Sequence, residues 1–228
     1  MALATWKDLC TDAQDPASYA RFWGSLTGRQ PYVDSGGWAR LDGERPRETV
    51  WVNPVPEPHT VKNRVHLDVR VGDLDAVTAL RATVLRPPGE NRTWWVLADP
   101  EGEEFCAFVR TDRPGLPGEL FEVVVDAADP EAQARWWADV LGGRVGSEPS
   151  ASWWWVDAIP AAPFESLVFN AVPEPKTVKN RVHRDVTAPS VADLVRRGAR
   201  VLREPAGDVE WHVLADPEGN EFCAFPPA

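Results

Sequence analysis

One stretch of this chain occurs twice. Asn53 to Val69 reads NPVPEPHTVKNRVHLDV, and Asn170 to Val186 reads NAVPEPKTVKNRVHRDV, 117 residues further on. A repeat of that length constrains a fold more than composition does, because each copy must build the same supersecondary unit. The agreement is concentrated. Positions 53–68 match 170–185 at 13 of 16 places and 94–108 match 211–225 at 13 of 15, whereas 70–93 match 187–210 at only 5 of 24. Two short segments are therefore under a special demand. Upstream the register moves by three residues, so that DPASYARFW from Asp15 answers DPEAQARWW from Asp129. The joint between the copies, RTDRPGLPGE from Arg110 to Glu119, carries two proline–glycine breaks and reads as a linker.

Periodicity divides each copy again. After a strand-like run at Lys7 to Thr11, Asp15 is placed to cap a helix with Pro16 at its first position. Tyr19, Phe22, Trp23 and Leu26 recur at helical spacing before Gly28 ends it. Asp129, Pro130, Trp137, Leu141 and Gly142 repeat the pattern. Short strands are expected near Trp38 to Leu41 and Thr49 to Asn53, and the order then restarts at Val65. There VHLDV alternates as a strand, Asp73 to Ala82 carries a helical period, TVLR is a strand, and TWWVLADPEGEEFCAF is a hairpin. Asp-Pro opens its turn, and Gly102 or Gly219 supplies the positive φ that closes it. The chain thus reads as an α+β protein of four βαβββ units, each too small to be stable singly. The expected division is residues 1–112, with units 1–58 and 62–110, and residues 113–228, with units 119–175 and 179–226.

Over almost its whole length this pattern resembles the glyoxalase/bleomycin-resistance/dioxygenase, or vicinal oxygen chelate, superfamily. The residues that carry the resemblance are the DPEAQARWWADVLGG helix, the PEPKTVKNRVH crossover and the DPEGNEFC hairpin, met in order and twice. The resemblance implies that pairs of units form curved mixed sheets around clefts, giving two tandem glyoxalase-like domains in a monomer like a fused dimer, or in a homodimer. Neighbouring units pairing within each half is one arrangement; exchange of units between the halves is the alternative. Activity is less determined, since the superfamily holds metal-dependent lyases, dioxygenases and metal-free drug-binding proteins.

Strand alternation says which side chains reach a cleft. In RVHLDV, Val65, Leu67 and Val69 share the face expected to meet a helix, and His66 and Asp68 share the other; His183 and Asp185 repeat them, with Arg184 in place of Leu67. Metal-using members of the superfamily carry ligands on the first and last strand of each unit. Carried onto this chain, those positions are Asp8, His66, Cys106, Glu122, His183 and Cys223, with Asn53 and Asn170 at the two remaining places. Asn and Cys there break the usual hard-oxygen set for iron, manganese or nickel, so no metal cofactor is favoured, and zinc is the ion such a set would take. The plain alternatives are a His–Asp pair that only fixes the sheet, and cysteines that act as small buried apolar groups.

Twelve tryptophans against two tyrosines press the reading toward a ligand. Trp23, Trp136 and Trp137 fall on helices and are expected in the core. Trp94 and Trp211 hold matched hairpin positions, Trp95 becomes His212, and Trp153 to Trp155 must place two rings on one strand face. An aromatic cleft suits a small, flat, partly apolar organic molecule, with His66, Asp68, Trp94, Asn53, His183, Asp185, Trp211 and Asn170 as the expected contacts. Drug or metabolite binding is the leading class, and a metal-dependent lyase, isomerase or dioxygenase the second. A protein-interaction module follows only if the tryptophans form an exposed patch. The net charge of −11 without a basic stripe disfavours nucleic acid and anionic lipid as partners. Three cysteines without a CxxC pair, no apolar run near the roughly 20 residues of a membrane span, and no signal-like start point to the cytoplasm.

Overall fold

The computed structural model describes residues 2–90, 92–112, 115–148, 152–207 and 209–227. Part of the expected linker, residues 113 and 114, lies outside them. The first unit is β1 (Thr5–Ala13), α1 (Pro16–Thr27), β2 (Gln30–Val33), β3 (Ala39–Asp42) and β4 (Val50–Pro54). The second is β5 (Val65–Val71), α2 (Leu74–Ala79), β6 (Thr83–Arg86), β7 (Trp95–Ala98) and β8 (Glu104–Val109). The third is β9 (Glu119–Ala127), α3 (Pro130–Leu141), β10 (Arg144–Ser147), β11 (Trp153–Asp157) and β12 (Ser166–Ala171). The fourth is β13 (Val182–Thr187), α4 (Val191–Arg196), β14 (Arg200–Arg203), β15 (His212–Ala215) and β16 (Glu221–Phe225). Each is the βαβββ order expected from periodicity.

The helix ends form where the sequence provides for them. Asp15 accepts from Ser18 N at 2.9 Å and Asp129 from Ala132 N at 3.0 Å, each followed by a proline at the first helical position. Gly28 and Gly142 close the same helices with φ of 74° and 79°, a left-handed cap that a side chain would strain. Gly102 and Gly219, both at φ 87°, close the Asp-Pro turns.

Units pair by exchange. One eight-stranded sheet runs β14-β15-β16-β13-β1-β4-β3-β2 and joins the fourth unit to the first; the other runs β10-β11-β12-β9-β5-β8-β7-β6 and joins the third to the second. In each, the two leading strands meet antiparallel at the centre, β1 with β13 and β9 with β5. The two sequence halves therefore each contribute a unit to both sheets. Neither sheet closes into a barrel.

The long helices lie between the sheets and bind them into one core. On α1, Tyr19 and Leu26 are fully buried, while Phe22 and Trp23 meet Phe105 of β8, in the other sheet, at 5.8 and 5.2 Å. On α3, Trp137 is fully buried and meets Phe222 of β16 at 5.3 Å. Val65, Leu67 and Val69 are buried on the helix side, as their alternation requires. Their neighbours His66 and Asp68 consequently take the opposite face of the sheet, as His183 and Asp185 do in the other sheet, and these two faces are the candidate clefts. Among the described residues no helix is long and apolar enough to cross a membrane.

Candidate functional site

The floor of the β5–β9 cleft follows from register. Asp68 stands opposite Cys106 of β8 on one side and Glu122 of β9 on the other, and His66 lies opposite Val124. Donor atoms of His66, Asp68 and Cys106 all fall within 4.8 Å of one another. His66 Nε2 is 3.4 Å from Asp68 Oδ1, a buried oxygen with no hydrogen-bond partner among the described residues. Burial sets the charge states here. It lowers His66 to about 3, helped by the Lys62 ammonium, and raises Asp68 well above the carboxylate range, helped by Glu122. Burial, then the Asp68 charge, pushes the Cys106 thiol up, and Glu122 is also raised, against a 2.7 Å hydrogen bond from Ser166 Oγ. A neutral imidazole, a carboxyl whose burial favours its protonated form and a thiol thus share one small space.

Aromatic rings stand on both sides of that floor. Trp94 stacks on Phe108 at 5.4 Å, Phe108 meets Phe121 edge-on at 5.1 Å, and the Arg70 guanidinium covers Phe121 at 3.9 Å. Across the cleft, Trp153 and Trp155 pair with Asn170 and Val168 and share their face, whereas Trp154 turns to the helix side beneath Arg135. Gly146 lets Trp155 lie flat, since a Cβ there would come within 2.4 Å of the indole. Two of the three consecutive rings face the cleft, as alternation demands.

The β1–β13 cleft has the same plan and different chemistry. Asp8 stands opposite Asp185, Asp185 opposite Cys223, and Cys10 opposite His183. Burial and then the Asp8 charge raise Asp185 well above the carboxylate range, and burial raises both thiols. Asp8 Oδ2 accepts from Lys7 Nζ at 2.7 Å and from Trp51 Nε1 at 3.1 Å. Asp8 Oδ1 and Asp185 Oδ1 are buried without another hydrogen-bond partner among the described residues, and the two carboxyls stand close enough to share a proton. His183, lowered by burial and by Lys179, turns away: its Nε2 lies 2.6 Å from the carbonyl of Asn180. A His–Asp–Cys cluster of metal-binding dimensions therefore assembles in one cleft and not in the other, among the described residues. The walls are Trp211 stacked on Phe225 at 5.0 Å, with Lys7 over the Phe225 ring, facing Trp51, Trp38 and Tyr32.

Asp8 and Glu122, reached in the sequence by counting back from helix caps, thus sit beside Asp185 and Asp68. Asn53 reaches Cys10 Sγ at 3.0 Å from an exposed position, and Asn170 is half-buried opposite Asp126. All three cysteines are buried, free thiols. Sequence reading missed Cys10, Lys7, Trp51 and Phe121 as cleft groups, and did not name Phe225 as a contact. For Phe225 the signal was present, because it alternates with Cys223 and Glu221. Lys7 and Phe121 could not be read that way, since each is the extra residue at a register shift, Lys7 in β1 and Phe121 in β9, and the shift breaks the alternation there. Of the tryptophans only Trp153 is well exposed, which removes the basis for a tryptophan interaction patch.

A family model described as glyoxalase-like domain matches residues 8–108 and again 122–225. The chain belongs to the glyoxalase-like domain family. The two matches support a tandem protein of the vicinal oxygen chelate type, and solved structures share the fold at low identity. Glyoxalase I from Zea mays superimposes with a TM-score of 0.68 at 14% identity, covering 97% of this chain and 92% of that one. A putative dioxygenase from Bacillus subtilis gives 0.66 at 10% identity, covering 99% and 86%, and the cppA protein from Streptococcus pneumoniae gives 0.51 at 10%, covering 98% and 99%. No curated protein matches the glyoxalase-like chain.

Proposed function

We propose that this glyoxalase-like protein binds a small, flat, partly apolar organic molecule in its outward-facing clefts, in a drug- or metabolite-binding role. The observation that carries this reading is the pairing of stacked rings with buried acceptors that lack partners: Trp94 and Phe108 beside Asp68 Oδ1, Trp211 and Phe225 beside Asp8 Oδ1 and Asp185 Oδ1. An unmet buried acceptor is costly, about 1–3 kcal/mol, so a ligand that donates a hydrogen bond between aromatic walls gains from both features. The test is a calorimetric screen of flat hydrogen-bond donors (indoles, phenols, anilines). Binding is expected to weaken at least tenfold in Trp94→Ala for one cleft and in Trp211→Ala for the other. No binder in the unaltered protein, or binders indifferent to both substitutions, would sink the reading.

A second reading is favoured by the compact His66, Asp68 and Cys106 set. The residues fit a borderline cation such as zinc: an imidazole already neutral, a carboxylate oxygen without a partner, and a sulfur whose thiol a metal would deprotonate. When bound, such an ion would supply Lewis acidity of the kind lyases, isomerases and dioxygenases use. On this reading Asp68 and Cys106 would give up protons to it, and Glu122, held by Ser166, would stay beside it as a carboxyl able to move a proton. Elemental analysis of protein purified without a metal-affinity tag separates the two readings. One zinc per chain, lost in His66→Ala and kept in His183→Ala, supports the second; substoichiometric metal and a melting temperature insensitive to EDTA support the first.

A further inference from the structure

The repeated crossovers meet at a cavity that belongs to neither cleft floor. It has a volume of about 930 Å³, within the range of small-molecule sites, and both PEP(H/K)TVKNR segments line it. It opens at one end of the central strands, where Asp12 N donates to the carbonyl of Arg181 and Asp126 N to that of Arg64. The lining is close to two-fold symmetric, with Val61 answered by Val178 and Pro58 by Pro175. Both valines are well exposed, at 41% and 47%, so the cavity presents apolar surface that no described residue covers.

Its inner charge is positive. The buried carboxylates Asp12 and Asp126 each already hold a lysine, Lys179 and Lys62. Those ammonium groups remain more than half exposed and keep donors to spare. Arg64 donates to the carbonyls of Glu174 at 2.6 Å and Asp126 at 2.9 Å and meets no carboxylate among the described residues. The two further carboxylates of the lining, Glu57 and Glu174, are exposed. In a chain of net charge −11, Arg64 is thus a lining cation that no carboxylate among the described residues answers, beside two half-exposed lysines that are each singly paired.

Symmetry explains why the two crossovers agree so closely. The clefts are separate, so each is free to differ, and they do: the place Cys10 holds in one is taken by Val124 in the other, that of Trp51 by Val168, and His183 turns where His66 does not. The crossovers instead face one shared space, and a change in either copy alters the same site. We propose that they form a single binding site on the pseudo-two-fold axis for a flat organic monoanion. Its ring lies against Val61, Val178 and the prolines, and Lys62, Lys179 and Arg64 answer its charge. This site is independent of what the clefts bind.

Titration calorimetry with 1-naphthoate tests it. One equivalent per chain is expected, with the dissociation constant raised at least tenfold by Lys62→Met combined with Lys179→Met, and by Val178→Trp, which fills the space from an exposed position. The neutral ester methyl 1-naphthoate, which like naphthoate has no donor for the cleft acceptors, should bind at least tenfold more weakly, and Trp94→Ala and Trp211→Ala should leave naphthoate binding within twofold. If the double lysine variant does not fold because Asp12 and Asp126 lose their partners, Val178→Trp alone decides. Two equivalents, loss of binding in the tryptophan variants, indifference to Val178→Trp, equal affinity for the neutral probe, or no binding at millimolar naphthoate would each overturn the proposal.

Discussion

Asp99 and Asp216 hold the same place in the two hairpins and meet different neighbours. Asp99 accepts from the main-chain amides of Glu101 and Glu103 at 2.8 and 3.0 Å and from Trp23 Nε1 at 2.9 Å, beneath Leu67. Burial raises it to about 7, and raises Glu103 beside it to about 7 as well. In the other copy Arg184 replaces Leu67, fully buried, 3.6 Å from Asp216 and over the Trp137 ring at 4.3 Å; burial lowers it to about 10. An acid whose folded pKa exceeds its unfolded value contributes stability that is complete below the unfolded pKa and is lost as pH rises through the folded one. For Asp99 and Glu103 that window runs from about pH 4 to about pH 7. Stability should therefore fall across it, by on the order of 2–4 kcal/mol for Asp99, and Asp99→Asn should flatten the fall in denaturant melts at pH 5 and pH 8. Arg184→Leu makes the second copy resemble the first and leaves Asp216 without its cation. The expected cost is about 2–4 kcal/mol in denaturant melts, because breaking a buried pair leaves one charge uncompensated. The same loss when Arg184→Leu is made in an Asp216→Asn background would assign Arg184 a packing role only.

Elements in this protein are joined by the turns of other elements. The Glu101 carboxylate, in the β7–β8 turn of the second unit, accepts from Gln14 N at 2.6 Å and Asp15 N at 2.9 Å at the start of α1 in the first. Glu218 does the same for Ala128 N and Asp129 N before α3. Negative charge at a helix start also complements its dipole. This places a chemical reason behind the fidelity of the DPEG turn: its aspartate shapes the hairpin and its glutamate docks a helix from another unit. Glu101→Ala should cost about 1–3 kcal/mol, and Glu218→Ala about the same, because each leaves two amides without acceptors. Urea denaturation would show it as a lower midpoint at unchanged slope. A change below about 0.5 kcal/mol in both would mean that water replaces the carboxylate.

At the scale of the whole molecule, exchange of units means that neither half owns a sheet. Both long helices touch both sheets, so one core spans the chain. The joint itself is partly docked: Gly118 N donates to Leu26 O at 2.7 Å, and a Cβ on Gly28 would come within 2.9 Å of Pro117. Cleavage between Arg110 and Gly115 should give two fragments that still co-elute as one particle and separate only in denaturant. Folded fragments eluting apart would restore a picture of two independent domains. Thermal unfolding of the intact chain is likewise expected as one transition, as a shared core requires.

The sequence by itself determined the units. Asp-Pro starts, glycine stops, a period of two in RVHLDV and a period near 3.6 around Trp23 are local rules, obeyed wherever the chain goes, and they specify four βαβββ modules and the face each side chain takes. The resemblance added the paired curved sheets. Which units pair was decided only in three dimensions, because β1 carries an apolar face that either β5 or β13 could satisfy; in the fold β13 pairs with it, and α1 and α3 pack between the sheets. The same holds for the sites. That His66 and Asp68 share a face is alternation, but that Glu122 rather than Asp8 stands beside Asp68 follows from the exchange. So does the meeting of two crossovers, 117 residues apart in the chain, around one cavity. Contacts between distant strands leave no trace in local spacing, and only packing brings them together.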